Sequence, residues 1–390
     1  MFKVPLSKPK PDFEYFLDVL SGNRKQDRVV FLELLIDEEI QQYIIENYFN
    51  EKYLPPTTPR IFGLSKDESE KISNNFEKDK EARGKYLKQT INFFYKMGYD
   101  CWPELEFFWN FESLNSIAIE ANDTAALSKG KRSWGNEGTG MITSWEDFEN
   151  FPWDKAQRML LEYGDTLEFA YKKLMPEGMK IVAQGCMLEK VLVWILGYTG
   201  LFLKAYDEPD LVEAIFNKVG QLVYDQYVIA CEVEGVGAIW HGDDLGFKTG
   251  TLISPELLRK WVFPWFKKYS DLAHKHNKPF WFHTCGSKDL IIKDLIDDIK
   301  IDALHSFEDV SSPVVEYKRK YGDKIAILGG VDMDKLTTLN EIELRKYVKN
   351  ILDVCMQNGR YALGAGNSIS NFVPINNYFT MLDEGLNWNK

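Results

Sequence analysis

Cysteine is scarce in this sequence. Among 390 residues there are five cysteines, an odd number spread widely along the chain. This pattern excludes the disulfide framework of small secreted proteins and is typical of free thiols in a reducing compartment. No apolar run is long enough to cross a bilayer, and residues 1–10 lack the apolar core of a secretion signal. We therefore expect a cytoplasmic protein that does not associate with membranes.

Positive charge is also in short supply. Lys and Arg number 47 against 59 Asp and Glu, so the formal net charge is -12 at pH 7. Binding to a nucleic acid backbone needs cations clustered on one face. Acids interrupt or flank the basic stretches, as Glu81 does within 78–88, so nucleic acid is excluded as a partner. A Gly-x-Gly-x-x-Gly turn after the first apolar run is missing too, which counts against a dinucleotide-binding sheet.

What the sequence does have is a regular alternation. Eight short apolar runs recur, with helical periodicity between most of them, for example in 257–275 and 341–356. The runs cover residues 28–36, 98–105, 180–185, 236–241, 279–283, 301–305, 324–329 and 361–364. Strands that are buried on both faces read as continuous apolar runs, so the pattern predicts an α/β fold, a TIM (β/α)8 barrel. An open doubly wound sheet is the rival architecture.

The length of the chain suits one elaborated barrel. We expect a single domain over residues 1–390, with an N-terminal extension at 1–27. The segments 37–97 and 106–179 are too long for simple crossovers. They predict extra N-terminal helices and long inserted loops, with a helical insertion at 106–179 over the active face.

Three of the five histidines lie where predicted strands end. In a barrel, the C-terminal ends of the strands form the active face, so His241, His283 and His305 are expected around one mouth. His283 and Cys285 are two residues apart on an extended strand and therefore face the same side. A nitrogen and a sulfur placed in this way form half of a soft-metal site. The alternative is a hydrogen-bonded core histidine beside a small buried thiol.

Acids accompany these histidines. Asp243 and Asp244 follow His241, and adjacent carboxylates in a cleft raise one another's pKa, which suits acid/base work; the alternative is an ion pair or a helix cap. Glu308 follows His305, and this pair is a candidate for further ligation, for orienting a metal-bound imidazole, or for a plain loop network. The catalytic candidates are Asp243, Asp244 and Glu308. The metal-ligand candidates are His283, Cys285, His241 and His305.

Further candidates concern the substrate. Aromatic residues make up 14% of the chain, and most are expected to pack in the core, with a few as candidates for lining a flat apolar pocket. Polar residues near the ends of the early strands and in the loop 364–368 are also expected at the mouth. The substrate-binding candidates are Trp102, Glu104, Gln184 and Asn367.

Taken together, these residues resemble the uroporphyrinogen decarboxylase superfamily, a TIM-barrel group that includes corrinoid-dependent methyltransferases. The resemblance extends from about residue 28 onward. It is densest in Asp243-Asp244, Ile253-Ser-Pro-Glu256, Phe282-His-Thr-Cys-Gly286, Gly329-Gly-Val-Asp332 and Pro374-x-Asn376. In combination these segments are specific to the superfamily.

Within the superfamily the chain departs from the true decarboxylases. Those enzymes hold a polycarboxylate porphyrinogen with an N-terminal Arg-Gln-Ala-Gly-Arg type motif. Here the region after the first predicted strand reads Leu35-Ile-Asp37-Glu38-Glu39-Ile40. Acids at this place repel a polyanion, whose recognition calls for arginine forks.

The methyltransferase branch resembles the chain better. That branch holds zinc with a His-x-Cys pair and a distant Cys, and His283-x-Cys285 matches the pair. The distant Cys falls near Ala365, which cannot ligate a metal, so either a different third ligand is used or zinc is absent. The candidates for the third ligand are His241, Asp243, His305 and Glu308.

The resemblance implies a function and partners. We expect a zinc-assisted, corrinoid-dependent methyltransferase that passes a methyl group from a small methylated donor, a methoxylated aromatic, to Co(I). No Asp-x-His-x-x-Gly corrinoid-binding stretch is present, so the corrinoid (cobalamin) is expected on a partner protein. The alternatives are a decarboxylase of a tetrapyrrole or another carboxylic acid, and a non-catalytic corrinoid- or tetrapyrrole-binding protein. Assembly into a homodimer is left open.

Overall fold

Eight parallel strands form the central sheet of this protein. The computed structural model describes residues 2–55, 80–104, 118–128, 130–135, 138 and 140–388. The strands are β1 (Val30–Phe31), β2 (Cys101–Glu104), β3 (Lys180–Gly185), β4 (Val236–Gly242), β5 (Phe280–His283), β6 (Ala303–His305), β7 (Ala326–Leu328) and β8 (Tyr361–Leu363). Each of the eight predicted runs overlaps one of these strands.

The order of the strands in the sheet is circular. Neighbours run from β2 in sequence order to β8, and β1 then pairs with β8. In an open doubly wound sheet the first strand lies in the interior of the sheet instead. The predicted TIM (β/α)8 architecture is therefore confirmed, and the rival open sheet is wrong.

Side-chain contacts connect β1 to β2, the first two strands of the barrel. The described part of the chain forms no backbone ladder between β1 and β2. Just before these strands, the Arg28 guanidinium donates two hydrogen bonds to the Asp100 carboxylate, at 2.8 and 3.0 Å. The rings of Phe31 and Tyr99 meet edge to face with their centroids 6.3 Å apart. These contacts hold β1 against β2.

Helices surround the sheet. The α-helices are α1 (Phe13–Ser21), α2 (Glu38–Asn47), α3 (Lys80–Met97), α4 (Trp145–Asn150), α5 (Trp153–Phe169), α6 (Gly197–Asp207), α7 (Pro209–Glu232), α8 (Pro255–Leu257), α9 (Phe263–Lys275), α10 (Val314–Tyr321), α11 (Met333–Thr338), α12 (Glu341–Cys355) and α13 (Ile375–Asn387). Four π-helical segments accompany them, at Ala170–Leu174, Lys190–Ile195, Leu258–Val262 and Asp294–Ile299. Within the described ranges, no helix combines the length and apolar character needed to cross a membrane.

Two apolar cores follow from the alternation of side chains along the strands. Outward-facing residues such as Ile181, Ile239 and Ile327 pack with the helices in the larger core. Inward-facing residues such as Val182 and Trp240 belong to a second, smaller core inside the barrel. Because both faces are buried, the strands show no polar alternation in sequence.

Helix α1 closes the N-terminal end of the barrel. Its residues Phe13, Phe16 and Val19 are buried in the inner core. The Phe16 ring lies 5.7 Å from that of Trp281 on β5, and the Phe13 amide donates to the Gly178 carbonyl just before β3, at 2.9 Å. The expected N-terminal extension thus contains the plug of the barrel.

The region expected as a helical insertion, 106–179, contains both kinds of secondary structure. Its residues 106–117 lie outside the described part of the chain, as do residues 56–79 of the earlier long segment. An antiparallel hairpin pairs Ala118–Asn122 with Lys131–Gly135, and helices α4 and α5 follow. Ser144 caps α4 by accepting a hydrogen bond from the Asp147 amide.

Replacing Phe16 by Ala is expected to lower the free energy of unfolding by about 3–5 kcal/mol. The ring is fully buried, so its removal leaves a cavity among strands that cannot collapse to fill it. Urea denaturation followed by tryptophan fluorescence measures the change. Glu14→Ala, on the exposed face of the same helix, is the control, and equal denaturation midpoints for the two variants would contradict a packed plug.

Candidate metal centre at the barrel mouth

Strand register places two histidines side by side at the mouth of the barrel. His283 ends β5, His305 ends β6, and the two are direct partners in the parallel ladder. Trp281 and Ala303, two residues earlier on the same strands, lie in the inner core, so both histidine rings point inward. Their Nδ1 atoms are 2.6 Å apart.

Three potential metal-ligand atoms of different kinds converge at the mouth, one each from Asp244, His283 and Cys285. The Nε2 atom of His283 lies 3.6 Å from Asp244 Oδ1 and 3.6 Å from Cys285 Sγ, and all three ligand atoms lie within 4.8 Å of one another. In a tetrahedral zinc site with bonds of about 2.0–2.3 Å, donors are roughly 3.3–3.7 Å apart. Nitrogen, thiolate sulfur and carboxylate oxygen are the usual ligands of zinc in proteins. The residues Asp244, His283 and Cys285 therefore fit a zinc ion.

A close backbone contact positions the loop that carries Cys285. Gly286 adopts φ +72°, and a Cβ atom there would lie 2.3 Å from the Gly246 carbonyl carbon, so a larger residue would be excluded at this contact. The Ser287 amide donates to the Phe247 carbonyl at 2.8 Å. The Asp244 carboxylate accepts a hydrogen bond from the Cys285 amide at 3.2 Å. The loop after β4 and the loop after β5 are thereby held together.

Burial and neighbouring groups set the charges at this site. Partial desolvation opposes ionisation of Asp244, whose side chain is 51% exposed, but hydrogen bonding and attraction from His283 outweigh it and hold the pKa of the carboxyl at about 2. Burial and the Asp244 carboxylate raise the pKa of the Cys285 thiol well above its usual range. At neutral pH the metal-free site thus presents a carboxylate and a protonated thiol, and ligation by Cys285 releases a proton.

Two further side chains support Cys285. The Asn367 amide nitrogen lies 3.2 Å from Cys285 Sγ and donates to it; the sequence predicted Asn367 as a substrate contact. Lys288 is buried, and its ammonium group donates to the Gly286 carbonyl at 2.9 Å and to Ser312 Oγ at 3.2 Å. Burial lowers the pKa of Lys288 to about 8. Sequence reasoning missed Lys288 because a lysine in a polar loop carries no sign of burial.

His305 lies behind His283 and outside the group of three donors. The sequence predicted it as a metal ligand, yet its ring is buried with Nδ1 on His283 and Nε2 3.0 Å from the Ala365 carbonyl oxygen. Burial and the neighbouring His283 lower the pKa of His305 well below its usual range. Both ring nitrogens are engaged, so this ring is placed to support His283.

The structure does not bring His241 to the mouth. On β4 the inward position belongs to Trp240, and His241 faces outward, where its ring packs on Phe266 and its Nδ1 lies 2.7 Å from Tyr227 Oη. Its Nε2 lies 2.7 Å from Asp243 Oδ2. The expected metal ligand at this position is therefore on the helix side of the barrel wall.

Asp243 lies with His241 and supports a neighbouring loop. Its carboxylate, which the sequence predicted as catalytic, accepts hydrogen bonds from three successive amides, those of Met187, Leu188 and Glu189, at 2.9–3.2 Å. The carboxylate is buried. These contacts fix the chain after β3 against the end of β4.

The remaining sequence candidates lie apart from the three donors. Glu308, predicted as catalytic, accepts a hydrogen bond from Ser311 Oγ at 3.3 Å. Gln184 lies on the inner face of β3, and its amide donates to the Leu34 carbonyl at 3.0 Å. Trp102 packs in the outer core, and Glu104, two residues later on β2, shares its outward register.

Comparison with known proteins identifies the family. The model of the uroporphyrinogen decarboxylase (URO-D) family matches residues 141–386, which include every residue of the three-donor group. The chain belongs to the uroporphyrinogen decarboxylase family. Its membership agrees with the resemblance seen in the sequence, and a search of curated proteins finds no match.

Solved structures show how widely the fold of this family member is shared. A methyltransferase from Methanosarcina mazei matches with a TM-score of 0.65 at 14% identity, over 95% of this chain and 97% of that chain. A Listeria monocytogenes protein assigned as a vitamin-B12 independent methionine synthase matches with a TM-score of 0.45 at 12% identity, over 92% and 94% of the two chains. The first similarity establishes a common fold.

Proposed function

We propose that this protein is a methyltransferase that moves a methyl group from a small methylated donor to the Co(I) corrinoid of a partner protein. The observation that carries the proposal is the convergence of Asp244, His283 and Cys285 at the barrel mouth. Family membership and the fold shared with a methyltransferase from Methanosarcina mazei support it. In the transfer, the bond between the methyl carbon and its heteroatom breaks, cobalt supplies the electron pair for the new bond, and the heteroatom keeps its own.

The donor set suggests an oxygen leaving group. Asp244, His283 and Cys285 would hold zinc, which when bound supplies a Lewis acid for the heteroatom that loses its methyl group. One thiolate and one carboxylate leave the metal less electron-rich than two thiolates would. Aryl ethers need such assistance because a phenolate must depart. We therefore propose a methoxylated aromatic as the methyl donor.

The chain's own residues contribute binding and charge. The carboxylate of Asp244 is ionised at all ordinary pH values, since its pKa is about 2. The Asn367 amide donates to the sulfur of Cys285, and donation of this kind stabilises a thiolate. Lys288 places a buried amine behind the loop of Cys285, which offsets negative charge there.

A decarboxylase is the second candidate, because the family takes its name from that activity. The residues beside β1 count against a polycarboxylate substrate. Asp37 is the N-cap of α2 and Glu38 and Glu39 are its first residues, in the segment that follows β1, and acids there would repel carboxylate groups. A non-catalytic corrinoid-binding protein is the third reading, and the same experiment tests it.

The test combines zinc-loaded protein with chemically reduced cobalamin and a panel of ring-substituted methoxybenzenes that carry no carboxylate. The expected result is loss of Co(I) absorbance with matching formation of methylcobalamin and phenol, and no reaction with Cys285→Ala. A parallel incubation uses uroporphyrinogen. Decarboxylation without methyl transfer would replace the proposal by the second candidate, and tight cobalamin binding without either reaction would replace it by the third.

A further inference from the structure

A hydrogen-bonded series runs from the backbone at residue 365 to the metal-facing nitrogen of His283. The Ala365 carbonyl oxygen lies 3.0 Å from His305 Nε2, and His305 Nδ1 lies 2.6 Å from His283 Nδ1. His283 Nε2, at the other edge of that ring, faces Asp244 and Cys285. The series therefore ends at the proposed zinc site.

The chemistry of the groups fixes the direction of every hydrogen bond. A carbonyl oxygen can only accept, so His305 Nε2 carries a proton and donates to Ala365. A neutral imidazole has one donor and one acceptor nitrogen, so His305 Nδ1 accepts. The proton between the two rings then belongs to His283 Nδ1. His283 Nε2, at the other edge of the ring, is therefore the nitrogen from which a metal would displace a proton and to which it would bind.

We infer that His305 is a positioning residue that keeps a proton on His283 Nδ1, so that Nε2 is the nitrogen presented to a metal beside Asp244 and Cys285. The inference rests on the proposed metal site and deepens it. It gives His305 a role other than the direct ligation expected from the sequence. Outer partners of this kind orient a metal-binding imidazole and raise its basicity.

The anchor of the series is itself held in place. The Ala365 amide donates to both oxygens of the buried Glu33 carboxyl, at 3.1 and 3.2 Å. The Ala365 carbonyl also accepts a hydrogen bond from the Gly330 amide at 3.2 Å. These contacts fix the carbonyl that sets the tautomer of His305.

The surroundings leave the His305 ring no second position. Gly329 adopts φ +74°, and a Cβ atom there would lie 2.8 Å from the His305 ring. On the other side, Trp240 meets the ring edge to face with centroids 5.5 Å apart. A ring confined in this way can act as a fixed hydrogen-bond partner.

Ala365 acts through its backbone carbonyl, not through its side chain. In the family branch that the sequence resembles, a distant cysteine falls near this position. Here the position contributes its carbonyl to His305, while the third donor of the group comes from Asp244 on another strand end. The loss of one ligand is thus accompanied by a firm orientation of the imidazole.

The experiment replaces His305 in two ways. His305→Asn keeps an acceptor near the Nδ1 position, whereas His305→Phe keeps the ring shape and removes both nitrogens. We measure Co(II) affinity by competition with a chromophoric chelator, and we read the tautomer of His283 from nitrogen-15 chemical shifts in the metal-free protein. His283→Gln assigns the signal, and His274→Phe, at a half-buried histidine that pairs with Asp302 on the helix side of the barrel, is the matched control.

We expect His283 to carry its proton on Nδ1 in the wild type and in His305→Asn. In His305→Phe we expect a mixture of tautomers and a loss of Co(II) affinity of roughly 10- to 100-fold, the range typical of outer partners. A wild-type His283 that carries no proton on Nδ1 would overturn the inference. Undiminished affinity in a folded His305→Phe variant would overturn it as well.

The outcomes separate this inference from the proposed function. If no methoxybenzene reacts, the methyl donor is wrong, while the tautomer and the Co(II) affinities still decide the role of His305. If the wild type binds no metal, the proposed site fails, and with it the inference. If His305→Phe does not fold, the wild-type tautomer and the affinity of His305→Asn decide.

Discussion

Purified protein is expected to hold about one zinc ion per chain, and replacement of Cys285 by Ala is expected to remove it. The side chain supplies the only sulfur in the three-donor group. Losing a ligand should lower affinity by more than the roughly 10- to 100-fold seen when an outer partner is lost. His283→Ala should have a similar effect, because the imidazole lies 3.6 Å from both other donors.

Elemental analysis and a chelator competition measure this loss. Cys231→Ala is the control for the thiol, because Cys231 is a buried cysteine on α7. His276→Ala is the control for the imidazole, at the C-terminal end of α9. Zinc retained at full affinity in Cys285→Ala would contradict the three-donor site. A wild type that stays metal-free after reconstitution would contradict a zinc function.

Substitutions of Asp244 are expected to change zinc affinity and the rate of methyl transfer to different extents. Asp244→Cys provides a second thiolate, so zinc affinity should be retained while the rate of methyl transfer from an aryl ether falls. The reason is that a second thiolate makes zinc more electron-rich and a weaker Lewis acid. Asp244→Asn should lower both zinc affinity and the rate of methyl transfer, since the amide keeps the shape of the side chain and loses its charge.

The two variants also distinguish ligation from acid/base catalysis. If Asp244 only transferred protons, as the sequence suggested, Asp244→Asn would lose activity at unchanged zinc affinity. Sulfur-to-cobalt charge-transfer absorption in the Co(II) form reports whether the new thiol of Asp244→Cys binds the metal. Unchanged absorption in Asp244→Cys, together with unchanged affinity in Asp244→Asn, would remove Asp244 from the ligand set.

The fold was predictable from the sequence because its strands are short and are buried on both faces, apart from Lys180, Gly237 and Gly242. The run 180–185 coincides with β3, and 236–241 differs from β4 by one residue. The first run, 28–36, is far longer than β1, which spans Val30–Phe31. Its later residues bond to the chain after β8 and to a side chain on β3: the Leu35 carbonyl accepts a hydrogen bond from the Ile369 amide, and the Leu34 carbonyl accepts one from the Gln184 amide.

The candidate site was predictable only in part. Residues two apart on one strand must share a face, so His283 and Cys285 could be paired by spacing alone. The orientation of His241 could not, because both faces of β4 carry apolar residues and the alternation is hidden. The position of Asp244 depends on contacts between two loops, Gly246 against Gly286, that no local pattern encodes.

The plug of the barrel has a consequence for the order of events during synthesis. Helix α1 emerges early, yet its partners lie at the last strand: the Arg360 amide, just before β8, donates to the Val19 carbonyl of α1 at 3.1 Å, and Gln26, between α1 and β1, donates from Nε2 to the Tyr361 carbonyl of β8 at 2.8 Å. At about 5–20 residues per second, the ribosome delivers β8 roughly 20–70 s after α1. Throughout that interval the nascent chain carries the apolar face of α1 without its final binding partner, so this amino-terminal helix is a natural attachment point for chaperones.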